Sequence, residues 1–359
     1  MERRLKTGCA YHGNRMLSHA MADMHEIAMA DMDIVVHMLS HTDWERHADV
    51  MGDIFKASEA EGLEVWVDNW GIGGVPGDKS HFLSYHPEAH SYYGNGRMHD
   101  CQICLNSPAY REFVKSWVDK VAELGGKTVF WDEPHIPDIP TDDGSYFSAC
   151  TCPVCRKMFE ERFNKPMPEI MDRDVSAFRN STLVDFHRFI ADYARSNGLK
   201  NVICLMPYQL AGLNSAKKNG ELLQMNIDEI CGIEGIDNVG TDPYWFDGKS
   251  EPSNPYEYVY SATKACLEVT EKFGKEHNIW IQGYSVPRGR EEEIIVATEA
   301  AYDAGAKTIL SWGFHGCEAN TYRSANPMRS WLSTVEGMKR IKSMERDRIL
   351  AENRRKYMK

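Results

Sequence analysis

Gly125-Gly126-Lys127-Thr128-Val129-Phe130-Trp131-Asp132-Glu133-Pro134-His135 is the stretch on which the reading of the fold turns. Two glycines close a helical run that Ser107-Pro108 opens and Ala109–Leu124 continues. An apolar, β-branched run follows at once and ends on two adjacent carboxylates. Helix, glycine, strand is one unit of a βα alternation, and a strand that ends in acids presents an acid or a base to a ligand.

The same unit recurs along the chain. Short apolar runs lie at Thr7–His12, Asp33–Leu39, Leu63–Trp70, Lys127–Glu133, Asn201–Tyr208, Asn238–Trp245, Asn278–Tyr284 and Lys307–Phe314. Between them, helical spacing is closed by glycine: Ser176–Ser196 before Asn197-Gly198, Pro255–Phe273 before Gly274, and Glu291–Asp303 before Gly305. Eight strands, each followed by a helix and with no separate block of strands, predict a single (β/α)₈ barrel (TIM barrel) over residues 1–345. A doubly wound open sheet is the runner-up. The basic segment Arg346–Lys359 reads as a solvated helical tail.

Charge and cysteine usage narrow the function. Lys plus Arg total 41 against 53 Asp plus Glu, a formal charge of −12, which argues against nucleic acid or an anionic membrane as partner. No run approaches the about 18 apolar residues of a membrane helix, and the basic start Met1–Lys6 is not followed by an apolar signal segment, so a cytoplasmic protein is expected. Of ten cysteines, half cluster in Cys101-x-x-Cys104 and Cys150-x-Cys152-x-x-Cys155, a spacing that reads as metal ligation and not as a disulfide framework.

A barrel builds its site at the C-terminal ends of its strands. Those ends offer His12, His37, Asp68, Asn69 and Trp70, then Asp132, Glu133 and His135, and then Tyr208. The later strands add Asp242, Tyr244 and Trp245, Gln282 and Tyr284, and Trp312 and His315. Acids that hydrogen-bond hydroxyls, set among flat rings that pack on C–H faces, suit a carbohydrate.

The run Arg97-Met98-His99-Asp100-Cys101-Gln102-Ile103-Cys104-Leu105-Asn106-Ser107-Pro108-Ala109-Tyr110-Arg111, the strand ending in Glu133, and Cys150-x-Cys152-x-x-Cys155-Arg156-Lys157-Met158-Phe159 resemble the catalytic barrel of family 42 glycoside hydrolases, the β-galactosidase group. The likeness is close over residues 97–160 and elsewhere one of layout. It implies a structural zinc ion on Cys104, Cys150, Cys152 and Cys155. A closed set of four thiolates leaves no position for substrate, and such a zinc would clamp the loop after the fourth strand. Cys101 is an alternative fourth ligand.

The resemblance also implies that Glu133 is the general acid/base. The family's Asn before that Glu is Asp132 here, a second charge. Adjacent carboxylates raise one another's pKa where they meet, although neighbours on a strand point to opposite faces. The seventh strand, where the family keeps its nucleophilic Glu, offers Gln282, which cannot form a glycosyl ester. Asp242, in Gly240-Thr241-Asp242-Pro243-Tyr244-Trp245, is the best substitute, with Glu318 a third candidate.

Trp312 matches the family's Trp at the floor of the sugar subsite. Asp68, Trp70, Tyr208, Tyr244, Gln282 and Tyr284 are expected to bind substrate, together with His135 and His315, which are also expected to support the acids. The long Gly-rich stretch 71–96, with Tyr85, Tyr92 and Tyr93, is expected to form a lid or subsite wall. The expected ligand is a carbohydrate, and the resemblance allows for a homo-oligomer. Two other classes stay open: a catalytically silent sugar-binding barrel, and a barrel hydrolase or lyase with a catalytic metal.

Overall fold

The computed structural model describes residues 4–70, 80–210, 219–246 and 254–357. Its strands are β1 (Lys6–Tyr11), β2 (Ile34–Met38), β3 (Glu64–Asp68), a ribbon of β4 (His90–Tyr92) and β5 (Met98–Ile103), then β6 (Thr128–Trp131), β7 (Lys200–Leu205), β8 (Asn238–Thr241), β9 (Glu276–Gln282) and β10 (Thr308–Trp312). The ribbon stands apart and is antiparallel. The other eight close into a barrel in the order β1-β10-β9-β8-β7-β6-β3-β2, every pair parallel. The alternation thus builds the predicted closed (β/α)₈ barrel and not the open sheet.

Helices α1 (Leu17–Met29), α2 (His41–Ala60), the short α3 (Phe82–Tyr85), α4 (Pro108–Glu123), α5 (Pro153–Phe163) and α6 (Arg173–Ser196) occupy the first half of the chain. The short α7 (Pro207–Leu210) and α8 (Ile227–Cys231) precede α9 (Pro255–Lys272), α10 (Glu293–Asp303) and α11 (Pro327–Tyr357). The caps are those the residue types call for. Ser107 Oγ accepts from the Tyr110 N–H with Pro108 in the first turn, and Asn254 Oδ1 accepts from the N–H groups of Tyr256 and Glu257. Helix α11 continues unbroken through the basic segment from Arg346. Among the described residues, no helix is long and apolar enough to cross a membrane.

The eight expected strands are all present but stop earlier than the apolar runs suggest. Pro134, Pro207 and Pro243 follow β6, β7 and β8 within three residues and remove the donor that would extend each ladder. Alternation sorts each strand into two cores. Outward residues such as Val129, Trp131, Ile279 and Ile281 pack under the helices, and Trp131 meets Trp117 of α4 at 5.4 Å. Inward residues, among them Ala10, Trp66, Phe130, Cys204, Trp280 and Leu310, fill the barrel. Phe130 sits between Trp66, at 6.3 Å, and Trp280, at 5.1 Å, so the interior is a packed aromatic plug on which the mouth rests.

Candidate active site

Two residues beyond the inward layer, on the same faces, stand His12, Asp68, Asp132, Asp242, Gln282 and Trp312. Strand period alone thus delivers three carboxyls to the barrel mouth. Glu133, one residue off that phase, belongs by alternation to the outside. Its φ of +43° instead turns the chain back, and Glu133 joins Asp132 and Asp242 on one side of a cavity of about 170 Å³. This left-handed conformation costs a non-glycine residue about 1–3 kcal/mol, and it is what reconciles two sequence neighbours with one pocket. Trp70, Tyr244, Tyr284, Trp312 and Tyr322 form the remaining walls.

The acids are closely coupled. Asp68 Oδ1 accepts from the Trp70 N–H at 2.8 Å, and the Asp132 N–H donates to Asn69 Oδ1 at 3.0 Å, so the end of β3 ties down the end of β6. The Glu133 carboxyl lies close enough to Asp242 to disfavour its charge. Asp68 Oδ2, Asp132 Oδ2 and Asp242 Oδ1 are buried without any hydrogen-bond partner. Burial first, and then mutual repulsion, hold the carboxyls of Asp132 and Asp242 well above the usual carboxylate range; for Asp68 the cause is burial.

Aromatic geometry completes the mouth. Tyr284 meets Tyr244 edge-on at 5.1 Å and Tyr322 at 6.2 Å. The His12 ring lies between Trp70, at 5.0 Å, and Trp312, at 4.9 Å, and burial lowers its pKa to about 4, so it is neutral near pH 7. Gly240 permits the crowding below, since a Cβ there would come within 2.0 Å of Asn278 Oδ1.

Other sequence candidates lie elsewhere. Gln282 is fully buried and occupied: its Oε1 accepts from the Phe246 N–H at 3.1 Å, and its Nε2 donates to the carbonyls of Phe246 and Tyr284 at 2.8 and 3.3 Å. It pins the loop that carries Asp242. Tyr208, at the start of α7, lies within electrostatic reach of Glu133 and Asp242. His135 bonds the Glu133 carbonyl at 2.7 Å through Nδ1 and faces the cysteine side of the loop. His315 bonds Glu26 at 2.8 Å, and Glu318 lines a separate hollow beside it. Of the stretch expected to form a lid, residues 71–79 fall outside the described residues. Tyr85 is exposed, while Tyr92 and Tyr93 pack in the ribbon region beside the cysteines.

Sequence reasoning missed Tyr322 and Arg179. Tyr322 lies ten residues past β10, where no periodicity marks it. Arg179, 5% exposed on α6, bonds Asp138 at 2.6 Å and the carbonyls of Ile136, Pro137 and Ala149, so it binds both halves of the loop after β6.

That loop ends on the second cluster. The sulfurs of Cys104, Cys150, Cys152 and Cys155 all lie within 4.8 Å of one another, buried, so this group could hold a metal ion. Asn106 Nδ2 donates to Cys155 Sγ at 3.4 Å. Cys101 is only half-buried, lies 3.9 Å from His99 Nδ1 and falls outside this set of four. Larger hollows of about 330 and 590 Å³ border α11, lined by ion-paired charges such as the buried Lys342 and the exposed Arg340.

No family model and no curated protein matches this chain. Solved structures do. The catalytic domain of β-amylase from Paenibacillus polymyxa aligns with a TM-score of 0.65 at 11% identity, over 94% of this chain and 97% of that one. β-Galactosidase from Bacillus circulans sp. alkalophilus gives 0.67 at 13% identity, over 94% of this chain and 56% of that one. GH5_18 from Streptomyces cattleya, in complex with GlcNAc, gives 0.60 at 12% identity, over 95% and 81%. These structural neighbours are glycoside hydrolase barrels. At such identities the likeness is one of fold.

Proposed function

We propose that the chain is a glycosidase in which Glu133 is the general acid/base and Asp242 the second carboxylate. The observation that carries this reading is that Glu133 and Asp242 line one aromatic-walled pocket in the barrel mouth, each within electrostatic reach of the other. Neighbouring carboxyls disfavour a second charge, so the pair offers an acid and a base together. Glu133 protonates the leaving glycosidic oxygen and later removes a proton from water. Asp242, as nucleophile or as base for water, takes the place of the Glu expected on the seventh barrel strand. Trp70 and Trp312 offer flat faces to the sugar ring, and Asp132 faces its hydroxyls.

The cysteine set fits Zn²⁺, which takes four thiolates tetrahedrally, and three of these ligands come from one short turn before and within α5. Cys104, Cys150, Cys152 and Cys155 would hold it, and with all four positions filled it would brace the loop and take no part in turnover. A reduced thiol site accords with a cytoplasmic protein. Family 42 is the subgroup the cysteine set and Glu133 support best. A silent sugar-binding barrel is the second reading, favoured by Gln282 being engaged with backbone where that family has its Glu.

Aryl α- and β-glycosides, offered to the parent and to Glu133→Gln and Asp242→Asn, test the proposal. Turnover lost in both variants is expected, and the anomeric configuration of the product tells whether Asp242 acts as nucleophile or as base. Turnover that survives Asp242→Asn removes Asp242 from the mechanism, and binding without turnover favours the silent barrel.

A further inference from the structure

The polar inventory of the pocket is one-sided. Asp132, Glu133 and Asp242 line it, Asp68 lies fully buried behind, and the rest of the wall is tyrosine and tryptophan. Among the described residues, no Lys or Arg lines the cavity. Among the described residues, no ion pair reaches any of the four acids, and the neighbouring imidazole, His12, is neutral near pH 7. Asp132 Oδ2, on a side chain 7% exposed, has no partner, and neither has Asp68 Oδ2 behind it or Asp242 Oδ1 beside it. Buried carboxyl oxygens left without a donor are costly unless a ligand supplies one.

Aromatic faces add the second half of the signal. Ring faces attract cations, and a box of tryptophan and tyrosine with carboxylates at its base is the arrangement that recognises ammonium groups. A neutral sugar brings hydroxyls to this pocket but no charge. A sugar with a free amine brings three N–H donors and the positive charge that lets a buried acid ionise.

We infer that the pocket recognises a cationic sugar, one bearing a free ammonium group, and that Asp132, backed by Asp68, seats that charge. The inference rests on the reading of this pocket as a sugar subsite, and it makes Asp132 a specificity residue distinct from the Glu133–Asp242 pair.

The test uses the full chain and three series of ligands: glucosamine, galactosamine and mannosamine; the corresponding neutral hexoses; and their N-acetyl forms. Binding is read by quenching of tryptophan fluorescence, since Trp70 and Trp312 line the pocket, and turnover by the aryl glycosides of the same sugars. The amine of at least one configuration should bind about tenfold or more tighter than its neutral and N-acetyl counterparts, and Asp132→Asn should reduce that ratio about tenfold. Equal or tighter binding of the neutral or N-acetyl sugars by the parent overturns the inference whether or not the variant folds. So does an Asp132→Asn variant that weakens all three series by one factor. Turnover of neutral glycosides with no amine preference would sink this inference and leave the glycosidase reading standing. Amine-selective binding with no turnover of any glycoside would do the reverse.

Discussion

Asp132 and Glu133 are neighbours in sequence that serve one cavity by different means. Asp132 is inward by strand parity; Glu133 is turned in by a left-handed backbone. Burial keeps the carboxyls of Asp68 and Asp132 protonated above their ordinary 3.8. Between the unfolded and folded pKa values, the native chain holds protons that the unfolded chain releases. The stability these groups contribute is therefore full at low pH and is lost as pH rises through the folded values. The melting temperature of the parent minus that of an Asp68→Asn/Asp132→Asn variant should accordingly fall from about pH 4 to about pH 8. A flat difference would show that the two acids ionise as freely in the folded chain as in the unfolded one. Gln282 permits a sharper contrast. If it merely filled a vacated nucleophile position, Gln282→Glu would raise activity. Because its amide donates to two carbonyls, the carboxylate would face them with oxygen, so Gln282→Glu should lower stability by about 2–3 kcal/mol and bring no gain in turnover. Urea titration and a rate assay read both effects.

Among elements, the loop from β6 to α5 bears the most on function, because its first residues carry the acids and its last carry thiols. Arg179 grips its middle, and the cysteine set fastens its end to the segment before α4. If the metal is structural, a chelator should lower the melting temperature first, with activity falling only as the protein unfolds. A catalytic metal would show activity lost at unchanged melting temperature. Cys104→Ser should reduce bound zinc and destabilise the fold by several kcal/mol, while Cys101→Ser should leave zinc content unchanged. Elemental analysis of the two variants separates them. Cys101 lies within β5, half-buried and outside the set of four sulfurs, a difference that Cys-x-x-Cys spacing does not record. Arg179 was illegible for a related reason: on a long helix an arginine reads as a solvated residue until the partner loop is seen to cover it.

At the scale of the whole molecule, the mouth is narrow. A cavity of about 170 Å³ lies below the about 300–1,000 Å³ of sites for drug-sized ligands and suits one sugar ring. Release of single terminal residues from an oligosaccharide is therefore expected, read by chromatography of the products. Mixed internal fragments would show a longer cleft. Local patterns in the chain determined the eight strands, the helices between them, the carboxyls at the ends of β3, β6 and β8, and the four thiols, because alternation, caps and cysteine spacing are properties of a few adjacent residues. Which of those groups meet was decided only in three dimensions. Closure of β10 onto β1 brings Trp312 to His12 across some 300 residues. One positive φ turns Glu133 onto Asp242, and three hydrogen bonds take Gln282 out of the pocket. Such contacts join residues far apart in the chain, and their energies depend on burial and partners that no local pattern records.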